Sequence, residues 1–200
     1  MAIDVVQGDG LTLRGVRVVS KAMLVVGGLV MLAATGLIVL EVALRQIFNT
    51  SLGATDEFAG YALAISSSWS FAAALIDKAH VRIDSLYLCF PHRIRVWLDI
   101  VSLSCLLGLM LVLLRYVWIM LESSARFGST SQSTMATPLV VPQALWVVGL
   151  GWFVVATTVL LASALRALSK GDLDRVSALA GPVTPKEEVD SEIRDVARRQ

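Results

Sequence analysis

The residues best suited to chemistry in this 200-residue chain crowd into one short run, DKAHVRID at 77–84. It brings Asp77, His80, Arg82 and Asp84 close together, beside Lys78. Two carboxylates and an imidazole could begin a metal site, and His80 could serve as a general base. The metal reading leaves the coordination shell incomplete, and the spacing matches no common site. The base reading lacks a nucleophile beside His80. Haem would need axial histidines inside membrane helices, whereas His80 and His92 share one segment between helices. Cys89 and Cys105 are 16 apart with no CxxC, which points to a buried or inert thiol. There is no Gly-rich phosphate loop and no nucleophile elbow. No catalytic residue, metal or cofactor is therefore assigned.

The run makes better sense as the place where a chain leaves a membrane. It follows 19 residues without a charge, Phe58 to Ile76. The whole sequence is 56% hydrophobic and 16% charged, against about 25% charged in a soluble domain. Three further runs approach or exceed the roughly 20 residues that a helix needs to cross hydrocarbon. Ala22 to Leu40 has 19, and Pro138 to Leu165 has 28. Ile100 to Leu114 has 15, then Arg115, then six more uncharged residues to Leu121. The expected fold is an all-α integral membrane protein with four transmembrane helices. A short interfacial helix is expected between spans two and three, bearing Leu86, Leu88, Cys89 and Phe90.

Charge placement orients these spans. Of 17 basic residues, all but Arg45, Arg115 and Arg126 fall on one side if the N-terminus is cytoplasmic. The positive-inside rule then puts both termini in the cytoplasm. A net charge of +1 carries no signal for nucleic acid. The first run is too long for a signal-peptide core, so it is expected to remain as a helix.

The organisation follows. Residues 1–17 form a cytoplasmic N-terminal segment, in which LTLRGVRVV could lie on the membrane as a short helix. Residues 18–168 form the four-helix domain, and 169–200 a polar, flexible cytoplasmic tail. Glu41 and Arg45 are placed to pair at i,i+4. Thr55 can cap the second span, with Asp56 and Glu57 in its first turn, where the helix dipole favours carboxylates. Arg95 and Asp99 can pair in the third span. Near the midplane stand Met31, Ser67, Leu109 and Gly151, with Ser66 to Ser68 the only polar cluster. Small hydroxyls at that depth more often let helices pack than bind a substrate. Arg115 either snorkels outward or pairs with Glu41, Glu57 or Glu122. Pairing is preferred, because a charge in lipid is expensive.

These residues resemble a known family. A first span ending in EVALRQIFN is followed by DEFAGYALAISSSWSFAAALI, then HVRID, then FPHRIRVWLD; TPLVVPQALWVVGLGW begins the fourth span. Over residues 20–168 this is similar to the small permease subunit of tripartite ATP-independent periplasmic (TRAP) transporters, the DctQ-like family. Arg45, Asp56, Glu57, His80, Arg82, Asp84, Pro91, Arg93 and Asp99 stand where that family carries comparable residues. A glycine common before the histidine is absent here, where the chain has Asp77, Lys78 and Ala79. The resemblance implies a bacterial inner-membrane protein. It implies two partners, a large permease subunit and a periplasmic substrate-binding protein, and uptake of an organic acid anion driven by an ion gradient. It makes Arg45, Asp56, Glu57, His80, Arg82 and Asp84, with Arg115, candidates for structural or partner-contact roles.

Two other classes compete: a stand-alone small transporter or channel, and a membrane anchor for a redox enzyme. The topology is directly testable. Reporter fusions after Thr50 and Thr130 should read periplasmic, and fusions after His80 and Gln200 cytoplasmic. A periplasmic signal at His80 would overturn the four-span arrangement.

Overall fold

A computed structural model of the chain describes residues 11–78, 90–133 and 135–181. Among them are five helices: α1 (Leu11–Phe48), α2 (Thr55–Ile76), α3 (His92–Phe127), α4 (Val140–Ser169) and α5 (Leu173–Ala180). The first four are long and apolar enough to cross a membrane. The only β-pairing among the described residues is an isolated bridge between Thr130 and Pro138. The interfacial helix expected around Leu86 to Phe90 lies largely outside the described residues, since 79–89 are not among them.

α2 packs against α1 and α4, and α4 against α3, so the helices line up in the order α1–α2–α4–α3. The two flanks bury least of their most apolar stretch, 11% for α1 and 22% for α3, against 33% for α2 and 39% for α4. Two apolar clusters hold the row together. The larger joins Leu13 and Val16 of α1, Leu75 of α2, Val96 and Leu103 of α3, and Phe153 and Ala164 of α4. It sits towards the end where α1 and α3 begin and α2 and α4 finish. Arg14, Arg17, Arg93, Arg95, Arg166 and Lys170 belong to the same ends, so this is the basic end. The smaller cluster, Val117, Val147 and Leu150, lies further from it.

Two readings of the sequence need correction here. LTLRGVRVV is not a separate surface helix, for α1 runs unbroken from Leu11. Leu13 and Val16 are buried in the protein core rather than in lipid. Residues 173–180, within the stretch expected as a flexible tail, form α5. Asp172 caps it by accepting from the Arg175 N–H at 3.0 Å. Val176, Leu179 and Ala180 recur at helical spacing and are buried against α3 and α4. Eight residues were too few for that stripe to stand out from the charges around it.

Other local expectations hold. Asp56 and Glu57 occupy the first turn of α2. Pro91, with φ −63°, immediately precedes α3, and its carbonyl accepts from the Ile94 and Arg95 N–H groups at 2.9 and 3.2 Å. Gly128 closes α3 in the left-handed region, φ +59°, where a side chain would be strained. Cys105 lies exposed on α3 rather than buried.

The closest helix contact is at Gly149. A Cβ there would collide with the Ser68 hydroxyl and stand 2.6 Å from Trp69 Cδ1. At Gly151, one half-turn on, a Cβ would meet nothing within 4 Å. Gly149→Val should therefore force α2 and α4 apart and cost roughly 1–3 kcal/mol, as overpacking does. Gly151→Val should be nearly neutral. Thermal melting of the purified chain in detergent distinguishes them, and equal melting temperatures would refute the contact.

Candidate functional site

Three sets of residues could carry function: the polar groups between helices, two carboxylates at the end opposite the basic one, and the exposed flank of α3.

The polar groups between helices work as fasteners. Ser66 Oγ donates to the Gly27 carbonyl of α1 at 2.8 Å. The two backbones are close there, since a Cβ on Gly27 would stand 3.3 Å from the Ser66 backbone. Trp69 Nε1 donates to the Leu145 carbonyl of α4 at 3.0 Å. Trp152 Nε1 of α4 donates to Ser20 Oγ of α1, also at 3.0 Å. The remaining hydroxyls turn onto their own helices. Ser67 reaches Leu63 O at 2.6 Å, Ser68 reaches Ile65 O at 2.9 Å and Thr157 reaches Phe153 O at 2.8 Å. This back-bonding satisfies a hydroxyl in an apolar setting and leaves little free to bind a solute. The reading of Ser66 to Ser68 as packing residues agrees with this geometry. Sequence alone could not name their partners, because Gly27, Leu145 and Gly149 are remote in the chain.

At the far end, Glu41 organises the α1–α2 loop. Its carboxylate accepts from Ser51 Oγ at 2.6 Å, the Leu52 N–H at 2.9 Å and Thr55 Oγ1 at 3.2 Å. Thr55 is thus tied to α1 instead of capping α2, whose N-cap is Ala54. The expected Glu41–Arg45 ion pair is absent, because Glu41 spends both oxygens on the loop. Glu57 serves the α3–α4 loop. Its Oε1 accepts from Tyr61 OH at 2.6 Å, and Ser131, Ser133 and Thr137 gather about the same carboxylate. That loop closes on itself, Ser131 N–H to Thr137 O at 2.9 Å and Leu139 N–H to Ser129 O at 3.0 Å. Glu41 thus fixes the first loop, while Glu57 stands among the hydroxyls of the second, both at the start of α2.

The other sequence candidates scatter. Arg45 is exposed near the end of α1, and Asp56 is exposed in the first turn of α2. Arg115 is exposed on α3 and makes no ion pair among the described residues. The expected pairing of Arg115 with Glu41, Glu57 or Glu122 is not formed. The first two are held as above, and Glu122 accepts from Arg126 at 2.6 Å. His80, Arg82 and Asp84 lie outside the described residues. Among the described residues, no three His, Cys, Asp or Glu side chains come together to hold a metal ion. Asp99 is buried on α3, and a Cβ on Gly181 would stand 3.3 Å from its Oδ2.

Comparison with known proteins agrees with this architecture. Residues 34–169 match the family model described as tripartite ATP-independent periplasmic transporters, DctQ component. No curated protein and no solved structure matches the chain.

The glutamate that holds the first loop gives a clear expectation. Glu41→Ala removes all three acceptor contacts, so it should loosen the α1–α2 loop. Amide exchange in residues 50–55 should quicken with it. Arg45→Ala, which breaks no ion pair, should leave that exchange as it is.

Proposed function

The chain belongs to the DctQ family of TRAP transporter components, and on that premise we propose that it braces a large permease subunit in the bacterial inner membrane. In this reading the large subunit holds the substrate and ion sites. A periplasmic binding protein delivers an organic acid anion, and an ion gradient drives uptake without ATP. The basic end faces the cytoplasm together with both termini. Residues 18–168 form the membrane domain, between the cytoplasmic segments 1–17 and 169–200. His80, Arg82 and Asp84 shape the turn after α2 or touch the large subunit there.

One observation carries the reading: the middle of this bundle offers nothing to transport with. A self-sufficient ion-coupled carrier keeps ionisable groups or broken helices near the midplane. Here the stretches Ala22 to Leu40, Phe58 to Ile76, Ile100 to Leu114 and Pro138 to Leu165 hold no Asp, Glu, Lys or Arg. The first three, and the fourth from Val140, run as continuous helix. Ser66, Ser67, Ser68 and Thr157 commit their hydroxyls to backbone carbonyls. Such a bundle suits a fixed support better than a moving element.

Reconstitution into proteoliposomes tests this. The chain should co-purify with a large permease subunit. Uptake of a candidate dicarboxylate or sugar acid should appear only when both subunits and the binding protein are present. Uptake by the small chain alone would instead establish a stand-alone transporter, and a bound chromophore would establish a redox anchor.

A further inference from the structure

α3 has two faces, and its own fold uses only one. Val96, Leu103, Val117 and Ser124 are buried on the inner face. Ser104, Gly108, Leu111, Arg115, Trp118 and Glu122 form one row on the broad remainder, all of them exposed. Their spacing of 4, 3, 4, 3 and 4 is the seam pattern of a helix packed along a second helix. α3 is a flank of the row, so no helix among the described residues covers that seam. At Gly108 a Cβ would meet nothing within 4 Å, which leaves room for another backbone to come close.

Arg115 indicates what covers it. The residue lies six positions before Leu121, the end of the uncharged run, or about 9 Å inside it at 1.5 Å per residue. A guanidinium at that depth calls for an anion. Three carboxylates towards that end of the molecule are engaged elsewhere, Glu41 on its loop, Glu57 with Tyr61 and Glu122 with Arg126; the fourth, Asp56, is exposed on α2, which α4 separates from α3 in the row. Direction matters as well. Side chains on a helix lean towards its N-terminus. At position 115 that lean points towards the middle of the membrane, away from the nearer headgroups. A lipid phosphate is thus badly placed, whereas a carboxylate carried on a neighbouring helix is well placed. A second copy packed through the same seam does not supply one, because Ile100 to Leu121 contains no Asp or Glu and a symmetric pair would set Arg115 against Arg115.

We propose that the Ser104–Gly108–Leu111–Arg115–Trp118 seam docks a helix of a separate membrane protein. That helix carries a small residue opposite Gly108 and an Asp or Glu at the depth of Arg115. The proposal rests on the subunit reading above, and the large permease is the partner to examine.

The test uses the chain co-expressed with that permease. A photo-crosslinking residue at Leu111 should join the two subunits, while one at Leu32 on α1 serves as the off-seam control. Arg115→Glu should lower recovery of the large subunit roughly tenfold or more, and Arg115→Lys should retain most of it. Changing one carboxylate of the large subunit at matching depth to Lys should restore recovery with Arg115→Glu. Arg115→Leu separates docking from folding, because leucine suits lipid: the small chain should insert normally yet lose its partner. Full recovery with both Arg115→Leu and Arg115→Glu would overturn the proposal. Crosslinks from Leu111 only to lipid, or only to a second copy, would do the same. If even the unaltered chain recovers no large subunit, the subunit reading fails and takes this seam with it. If the unaltered chain recovers it and the variants change nothing, only the seam is wrong.

Discussion

Lipid is as apolar as leucine, so the force that gathers helices in water is nearly absent between helices in a bilayer. What remains is close contact and the hydrogen bond. In this protein both are concentrated on α2. Gly27 lets α1 approach the Ser66 backbone, and the Ser66 hydroxyl bonds across that gap. Gly149 lets α4 approach Ser68 and Trp69, and the Trp69 indole bonds across the other. The order α1–α2–α4–α3 follows from an α2 with two small-residue contacts on opposite sides. The first loop obeys the same helix, since Glu41 accepts from Thr55 where α2 begins.

The basic end is built on a different rule. Here the chain reaches water, and burial of apolar area stabilises structure again. Leu13 and Val16 of α1, with Val176 and Leu179 of α5, join a core that continues into the membrane part of the bundle. α5 lies over α3 and α4, with Gly181 just beyond it against Asp99. A second tie crosses the same region, His92 Nε2 to Asp174 Oδ1 at 3.4 Å, both side chains exposed. The spans are therefore held by polar fasteners in the middle and by an ordinary apolar core at one end.

The sequence showed the four spans and the basic asymmetry because hydrocarbon thickness and charge cost act on each segment independently. It showed Asp56 and Glu57 at the start of α2 for the same reason, since a helix dipole is local. It misled where partners are remote. Glu41 and Arg45 are at pairing distance along a helix, yet the loop that returns to Glu41 outcompetes the arginine. Ala72, Ala73 and Gly149 likewise find their neighbours far along the chain, all three being buried within the bundle. The stripe on α5 was hidden by its brevity. Arg115 was legible as an anomaly; its isolation appears only once Glu41, Glu57 and Glu122 are seen to be taken.

The spans also differ in length, and the difference is ordered. α2 has 22 residues and α4 has 30, while the flanks α1 and α3 have 38 and 36. At 1.5 Å per residue α2 is about 33 Å long, close to the hydrocarbon thickness of about 30 Å, whereas α1 is about 57 Å. The shortest helix is also the one to which the others are fastened, so α2 sets the depth at which the protein sits. The flanks absorb any difference between that depth and the surrounding bilayer by tilting or by projecting beyond it. Bilayer thickness then acts most strongly on the outer helices of the row, whose free faces meet whatever lies beside this protein in the membrane.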